Sequence, residues 1–108
     1  MDITTATINN ASVLTLTGRL DGLTSPALER KFDELAAAGA RKIVVDCSAL
    51  LYVSSAGLRV FLAAAKKLKA AGGEVAFAAL SPAVQEVFEL SGFTGVLAVH
   101  PTVAAATT

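Results

Sequence analysis

Ile43-Val44-Val45-Asp46-Cys47-Ser48, running on to Tyr52-Val53-Ser54-Ser55-Ala56-Gly57-Leu58, is the stretch that decides the fold of this chain. The unbroken apolar run at Ile43 to Val45 lacks the alternation of a half-exposed strand and predicts a strand buried on both faces. The chain then turns, and two adjacent serines stand where a long helix begins. Leu58, Phe61, Leu62, Ala65 and Leu68 form an inner face at helical spacing, and Gly72-Gly73 stops the helix after about Ala71. A helix N-terminus presents unpaired N–H groups and the positive end of the peptide dipole. It therefore welcomes an anion, including a phosphate carried on a serine side chain.

Upstream, Ile3 to Ile8 and Val13 to Thr17 read as two strands joined at Asn9-Asn10, a turn signal, so the chain opens with a hairpin. Gly18-Arg19-Leu20-Asp21-Gly22 reads as a loop. Ser25-Pro26 opens the first helix, with Ser25 as N-cap and Pro26 at the first helical position. Leu28, Phe32, Leu35 and Ala36 form its apolar face, and Gly39 closes it. The central strand spans Lys42 to Cys47. Downstream, Val75 to Leu80 reads as another buried strand, and Ser81-Pro82 repeats the serine–proline start. Val84, Val87 and Phe88 face inward on the third helix, Ser91-Gly92 ends it, and Val96 to Val99 reads as a short edge strand. Pro101 to Ala106 forms a last helical turn, with Thr107-Thr108 frayed. The order β-β-α-β-α-β-α-β predicts an α/β fold with a mostly parallel sheet of four to five strands. Right-handed crossovers, packed helices and one N-terminal antiparallel hairpin strand complete it.

The 108 residues fit one domain spanning the whole chain, and 54% hydrophobic content supports a real core. Nine basic and nine acidic residues cancel, leaving no electrostatic footprint for nucleic acid or an anionic membrane. No apolar run approaches the ~20 residues of a membrane helix, and Met1-Asp2-Ile3-Thr4 has no signal-peptide layout. The single Cys47 excludes an internal disulfide. These features predict a soluble cytoplasmic protein without membrane insertion. It is expected to be a monomer or a weak homodimer, the latter through the edge at Val96 to Val99.

Catalytic chemistry has little to stand on. His100, beside Pro101, reads as a surface or edge residue, and Cys47 as a core thiol. No ligand set for a metal is visible, no nucleophile has a histidine base, and no glycine loop resembles a phosphate-binding fingerprint. The chain reads as a non-enzyme without cofactor or metal. Asp21 and Asp46 each read as ending a strand. Asp46 caps the following loop, whereas Asp21 stands at the sheet end where partners gather in open α/β folds. One of Ser54 and Ser55 is the cap of the second helix. A second small polar residue, then Ala56-Gly57, leaves that helix end uncovered, so a cap and a function-bearing role both stay open.

The chain resembles the STAS family, the anti-sigma factor antagonists of bacteria. The resemblance rests on Gly18-Arg19-Leu20-Asp21, on Val44-Val45-Asp46-Cys47-Ser48 with Leu51 to Leu58, and on Val87-Phe88-Glu89-Leu90-Ser91-Gly92-Phe93, in that order and spacing. It implies partner switching in transcription regulation. The unphosphorylated antagonist binds an anti-sigma factor that is also a serine kinase, which frees the sigma factor. Phosphorylation of a serine at the start of the second helix releases the antagonist, and a serine phosphatase resets it. In the family's Asp-Ser-Ser-Gly pattern the acceptor is the serine before glycine. Aligned on Gly57, that slot holds Ala56, and the aspartate slot holds Ser54. The expected phosphorylation site is then Ser55, with Ser54 next. The expected partner surface is Asp21, Thr24, Ser54, Ser55, Gly57, Leu58 and Arg59. Without an acceptor, the same surface implies a constitutive interaction module, for example a subunit of a lipid-transport complex. A nucleotide-binding domain ranks last, since no glycine-rich phosphate loop supports it.

Overall fold

In the computed structural model, which describes residues 1–108, the run Ile43 to Val45 lies in the middle strand of a five-stranded sheet. The elements are β1 (Asp2–Ile8), β2 (Ala11–Leu20), α1 (Ser25–Ala37), β3 (Lys42–Val53), α2 (Ser55–Ala70), β4 (Glu74–Ala78), α3 (Pro82–Leu90), a 3-10 turn (Phe93–Gly95), β5 (Ala98–His100) and α4 (Val103–Thr107). The strands lie in the order β1-β2-β3-β4-β5. β1 runs antiparallel to β2, and every other pairing is parallel. The α/β reading with one antiparallel opening strand holds.

Both faces of β3 are covered, as its apolar run requires. Ile43 and Val45 enter the main core with Leu28 and Phe32 of α1, Phe61 and Leu68 of α2, and Val84 and Phe88 of α3. Val44 points the other way, into a smaller cluster with Ala11, Val13, Ala76, Ala78 and Ala106 of α4. Successive crossovers of one hand between neighbouring strands bring α1, α2 and α3 to a single face. The centre of that face is a set of rings. Phe61 lies 4.7 Å from Phe77, and Phe88 lies 6.1 and 5.7 Å from the two, separations at which tilted aromatic pairs attract.

Several boundaries differ from the sequence expectations. β2 continues through Gly18-Arg19-Leu20, and β3 runs on to Val53 instead of ending at Cys47. The pairing steps from Thr15↔Asp46 to Thr17↔Ala49, and from Gly18↔Leu50 to Arg19↔Tyr52, so β3 carries one extra residue at each step. Such bulges break the two-residue period by which a strand is recognised. Asp46 is therefore inside the strand and caps no loop; its carboxylate accepts the Ser48 N–H at 3.0 Å across the first bulge. Ser25 is not the N-cap of α1. Thr24 holds that position, and Ser25 is buried with its hydroxyl donated to the Asp21 carbonyl. Ala36 faces solvent. β4 stops at Ala78 because Ala79 turns left-handed at φ 58°.

The C-terminal region is more ordered than the sequence implied. Val96 and Leu97 donate their N–H groups to the Phe93 carbonyl instead of forming a strand, so the edge strand is Ala98–His100. Thr102 caps α4 by accepting the Ala105 N–H at 3.0 Å. Thr107 is buried and donates to the Val103 carbonyl at 3.0 Å, so it is not frayed.

Gly73, between α2 and β4, is fixed by close approach. A Cβ there would overlap the Arg41 carbonyl, whose carbon would lie 2.9 Å away. Backbone cannot swing aside as a side chain can, so Gly73→Ala is expected to destabilise the fold by about 2 kcal/mol. A urea titration that shifts by less than about 0.5 kcal/mol would show that the two segments separate freely.

Candidate functional site

Because β2, β3 and β4 are parallel, the starts of α1, α2 and α3 gather at one end of the sheet. Backbone and hydroxyl groups stitch these junctions together. The Ser54 N–H donates to the Leu20 carbonyl at 2.8 Å, joining the ends of β3 and β2. The Ser81 hydroxyl donates to the Leu50 carbonyl at 3.4 Å, and its oxygen also caps α3 by accepting the Val84 N–H at 3.3 Å.

Asp21 and Thr24 close the loop before α1. The Asp21 carboxylate accepts the N–H groups of Leu23 and Thr24 at 3.0 and 3.1 Å. Thr24 Oγ1 accepts the Asp21 N–H at 2.9 Å and donates to the Arg19 carbonyl at 3.0 Å. The Thr24 N–H, above all, holds the Asp21 carboxyl below its ordinary value; the Leu23 N–H, the Thr24 hydroxyl and the Arg19 charge act the same way, against desolvation. Both side chains are thus spent on the loop they occupy. The same loop presents Leu23, 93% exposed.

At the head of α2 the two serines have different tasks. Ser54 is extended (φ −87°, ψ 172°), half-buried, and accepts the Gly57 N–H at 3.2 Å on its hydroxyl oxygen. That is an N-cap. Ser55 is the first helical residue, exposed, with its hydroxyl engaged by no other group of the chain. Gly57 is buried, and a Cβ there would meet Leu20 at 2.7 and 2.8 Å and Val53 at 3.0 Å. Glycine is what lets the first turn of α2 close onto the ends of β2 and β3. Leu58 is 6% exposed and sits in the main core. Gly57 and Leu58 are therefore packing residues, and neither offers the surface expected of it. Arg59 is exposed, one turn beyond Ser55.

The exposed ends of the strands add residues that the sequence reading did not assign to the surface. Leu51 is 69% and Tyr52 40% exposed, and the Arg19 guanidinium lies 4.3 Å from the Tyr52 ring centroid, a cation–π stack. The signal available was Leu50-Leu51-Tyr52-Val53, which holds more apolar residues in a row than one covered face can bury. Elsewhere the chemistry is quiet. Burial first, then the Asp46 charge, pushes the Cys47 thiol up to about 12, so it stays protonated. No group of three or more His, Cys, Asp or Glu is placed to hold a metal ion. No helix is long and apolar enough to cross a membrane.

A sheet of this order with a serine-capped helix after its middle strand matches a known class. The STAS domain family matches residues 2–106, and the chain belongs to that family. BtrV of Bordetella bronchiseptica, provisionally described as an anti-sigma factor antagonist, is 37% identical over 99 residues, covering 92% of this chain and 85% of that protein. The crystal structure of an anti-sigma factor antagonist from Mycobacterium paratuberculosis is similar at a TM-score of 0.88 and 28% identity, over 97% of this chain and 89% of that one. SpoIIAA shares the fold. Its unphosphorylated form gives a TM-score of 0.75 at 19% identity over 96% of this chain and 92% of its own. The Bacillus phosphorylated form gives 0.74 at 22%, over 96% of each.

Two outcomes follow from the serine geometry and the loop. Ser54→Ala, which removes a cap, is expected to cost about 1 kcal/mol in chemical denaturation, while Ser55→Ala stays within about 0.5 kcal/mol; equal losses would contradict the split. In an NMR titration the Asp21 carboxyl is expected to ionise below 3.8. A lowered folded-state value means that the loop's stabilisation is present above the unfolded pKa and is lost as pH falls through the folded one. A normal or raised value would show that the carboxylate is not held by those N–H groups.

Proposed function

We propose that this chain, as one STAS domain over residues 1–108, is an anti-sigma factor antagonist that acts by partner switching in the cytoplasm. Unphosphorylated, it docks on an anti-sigma factor that is also a serine kinase. Phosphorylation of Ser55 releases it, and a serine phosphatase restores it. The observation that carries this reading is the separation of the two serines: Ser54 is occupied as the cap, and Ser55 is exposed with a free hydroxyl. In the modification, Ser55 Oγ forms a bond to the γ-phosphorus of the kinase's nucleoside triphosphate. The bond to the departing diphosphate breaks, and the hydroxyl proton passes to a base of the kinase.

The physical consequence suits a switch. A phosphoserine adds roughly −1.5 to −2 charges. At the first turn of α2 the peptide dipole tolerates that charge, so the fold survives it. In a docked interface the same charge meets desolvation and repulsion. The docking surface on this reading is Ser55 and Arg59, with exposed Leu23, Leu51 and Tyr52 around them. Exposed apolar residues beside a polar centre are what partner surfaces offer. The names of BtrV and of the mycobacterial structure support the antagonist role. Both the unphosphorylated and the phosphorylated SpoIIAA share this fold.

Ala56, directly before Gly57, favours one second reading: a constitutive STAS interaction module, such as a subunit of a lipid-transport complex, that is never phosphorylated. Incubation with the cognate anti-sigma kinase and ATP separates the two. Ser55→Ala is expected to abolish phosphate incorporation, and Ser54→Ala to retain it. Ser55→Glu is expected to weaken binding to the kinase at least about tenfold, an effect of about 1.4 kcal/mol, with the melting temperature nearly unchanged. Phosphate on neither serine would sink the switch and leave the constitutive module.

A further inference from the structure

We propose that Arg59 is a clamp for the phosphorylated form: a phosphate on Ser55 folds onto the Arg59 guanidinium one turn along α2. This rests on the phosphoserine reading above and names the group that receives the phosphate. Ser55 and Arg59 are four residues apart on one exposed stripe of the helix, the spacing at which helical side chains meet. Helical side chains lean toward the N-terminus, so Arg59 covers the turn that carries Ser55. The anion lies N-terminal to the cation, which is the better order for such a pair and sets the anion at the positive end of the dipole. Guanidinium also matches phosphate with parallel N–H donors.

Arg59 is free for this task. The ion pairs of the chain are Lys31–Glu34, Lys42–Glu74 and Lys67–Asp33, and none includes it. Glu29 of α1 lines the same groove as Arg59 without pairing to it. Asp21, the acid of the neighbouring loop, is engaged by the N–H groups of Leu23 and Thr24. Phosphorylation then changes the docking face twice: it adds an anion and withdraws the cation that faced the partner. A phosphate on Ser54 gains nothing comparable, because Ser54 is the extended cap ahead of the helix with its hydroxyl oxygen on the Gly57 N–H, five positions from Arg59 and outside the four-residue spacing at which helical side chains meet.

The test uses the full chain with phosphoserine encoded at position 55 during translation, so that no kinase is needed. The phosphate is followed by ³¹P NMR against pH at low salt. Its second ionisation, ordinarily near ~6, is expected to fall about 0.15 to 0.4 pH unit lower with Arg59 present than in Arg59→Gln. Arg59→Lys should lie between them, and the gap should close in ~1 M salt. Phosphoserine encoded at position 54 should titrate alike with Arg59 and with Arg59→Gln. The same titration of phospho-Ser55 with and without Arg59 would overturn the clamp. A kinase that ignores Ser55 would sink the partner switch but leave this titration unchanged, so the two failures are distinguishable.

Discussion

The structure depends on β3 being buried on both faces and then outlasting its neighbour. Up to Asp46 it pairs with β2 on one side and β4 on the other. Beyond Asp46 only β2 remains, and the two bulges carry the strand seven residues further, to Val53. Bulges increase local twist and bend the strand that holds them. The result is a strand end held by its own ladder, by the Ser54 N–H on the Leu20 carbonyl, and by the Ser81 hydroxyl on the Leu50 carbonyl. Both serines at the head of α2 inherit their position from that end. The Asp21–Thr24 loop inherits its place from the neighbouring end of β2.

How far this was legible in the sequence depended on whether a local rule or a tertiary demand governed each segment. Ile43-Val44-Val45 announced a strand buried on both faces because no alternation was present, and the two clusters beside it bear that out. Asn9 and Asn10 announced a hairpin, and both sit at positive φ, 49° and 66°, where asparagine is tolerated. The rest of β3 was hidden because its bulges shift the inward parity, so Cys47, Leu50 and Val53 face the core at spacings that no strand period generates. Gly18-Arg19-Leu20 was hidden by glycine, which usually breaks strands but here takes φ 107° within one. α4 has five residues, too few to be stable alone. It forms because Val13, Val44, Ala76 and Ala78 need a cover.

The site was legible to the same degree. The chain placed two serines at a helix start, but either could have capped it, and only the extended backbone of Ser54 assigns the cap. Leu58 was open to two readings. Helical spacing put it inward and the family resemblance put it on the partner surface; burial at 6% decides for the spacing. Leu51 and Tyr52 could be read as surface only once the strand bearing them was known to extend past its cover.

Under the proposed switch, the serine pair would also resolve a conflict between stability and switching. An N-cap hydroxyl accepts a backbone N–H, and its loss costs about 1 kcal/mol of helix stability. If one serine had both tasks, each phosphorylation would rebuild the cap, and the signal would reach the partner as a change in folding. With Ser54 bonded to the Gly57 N–H and Ser55 unengaged, the cap is the same in either state. A phosphate on Ser55 would then act on whatever rests against the surface. Gly57 reinforces the separation, since the absence of a side chain there lets the first turn of α2 pack directly against Leu20 and Val53. On the proposed reading, a phosphate on Ser55 would change the surface charge without rebuilding this turn, and a docked partner would meet that charge.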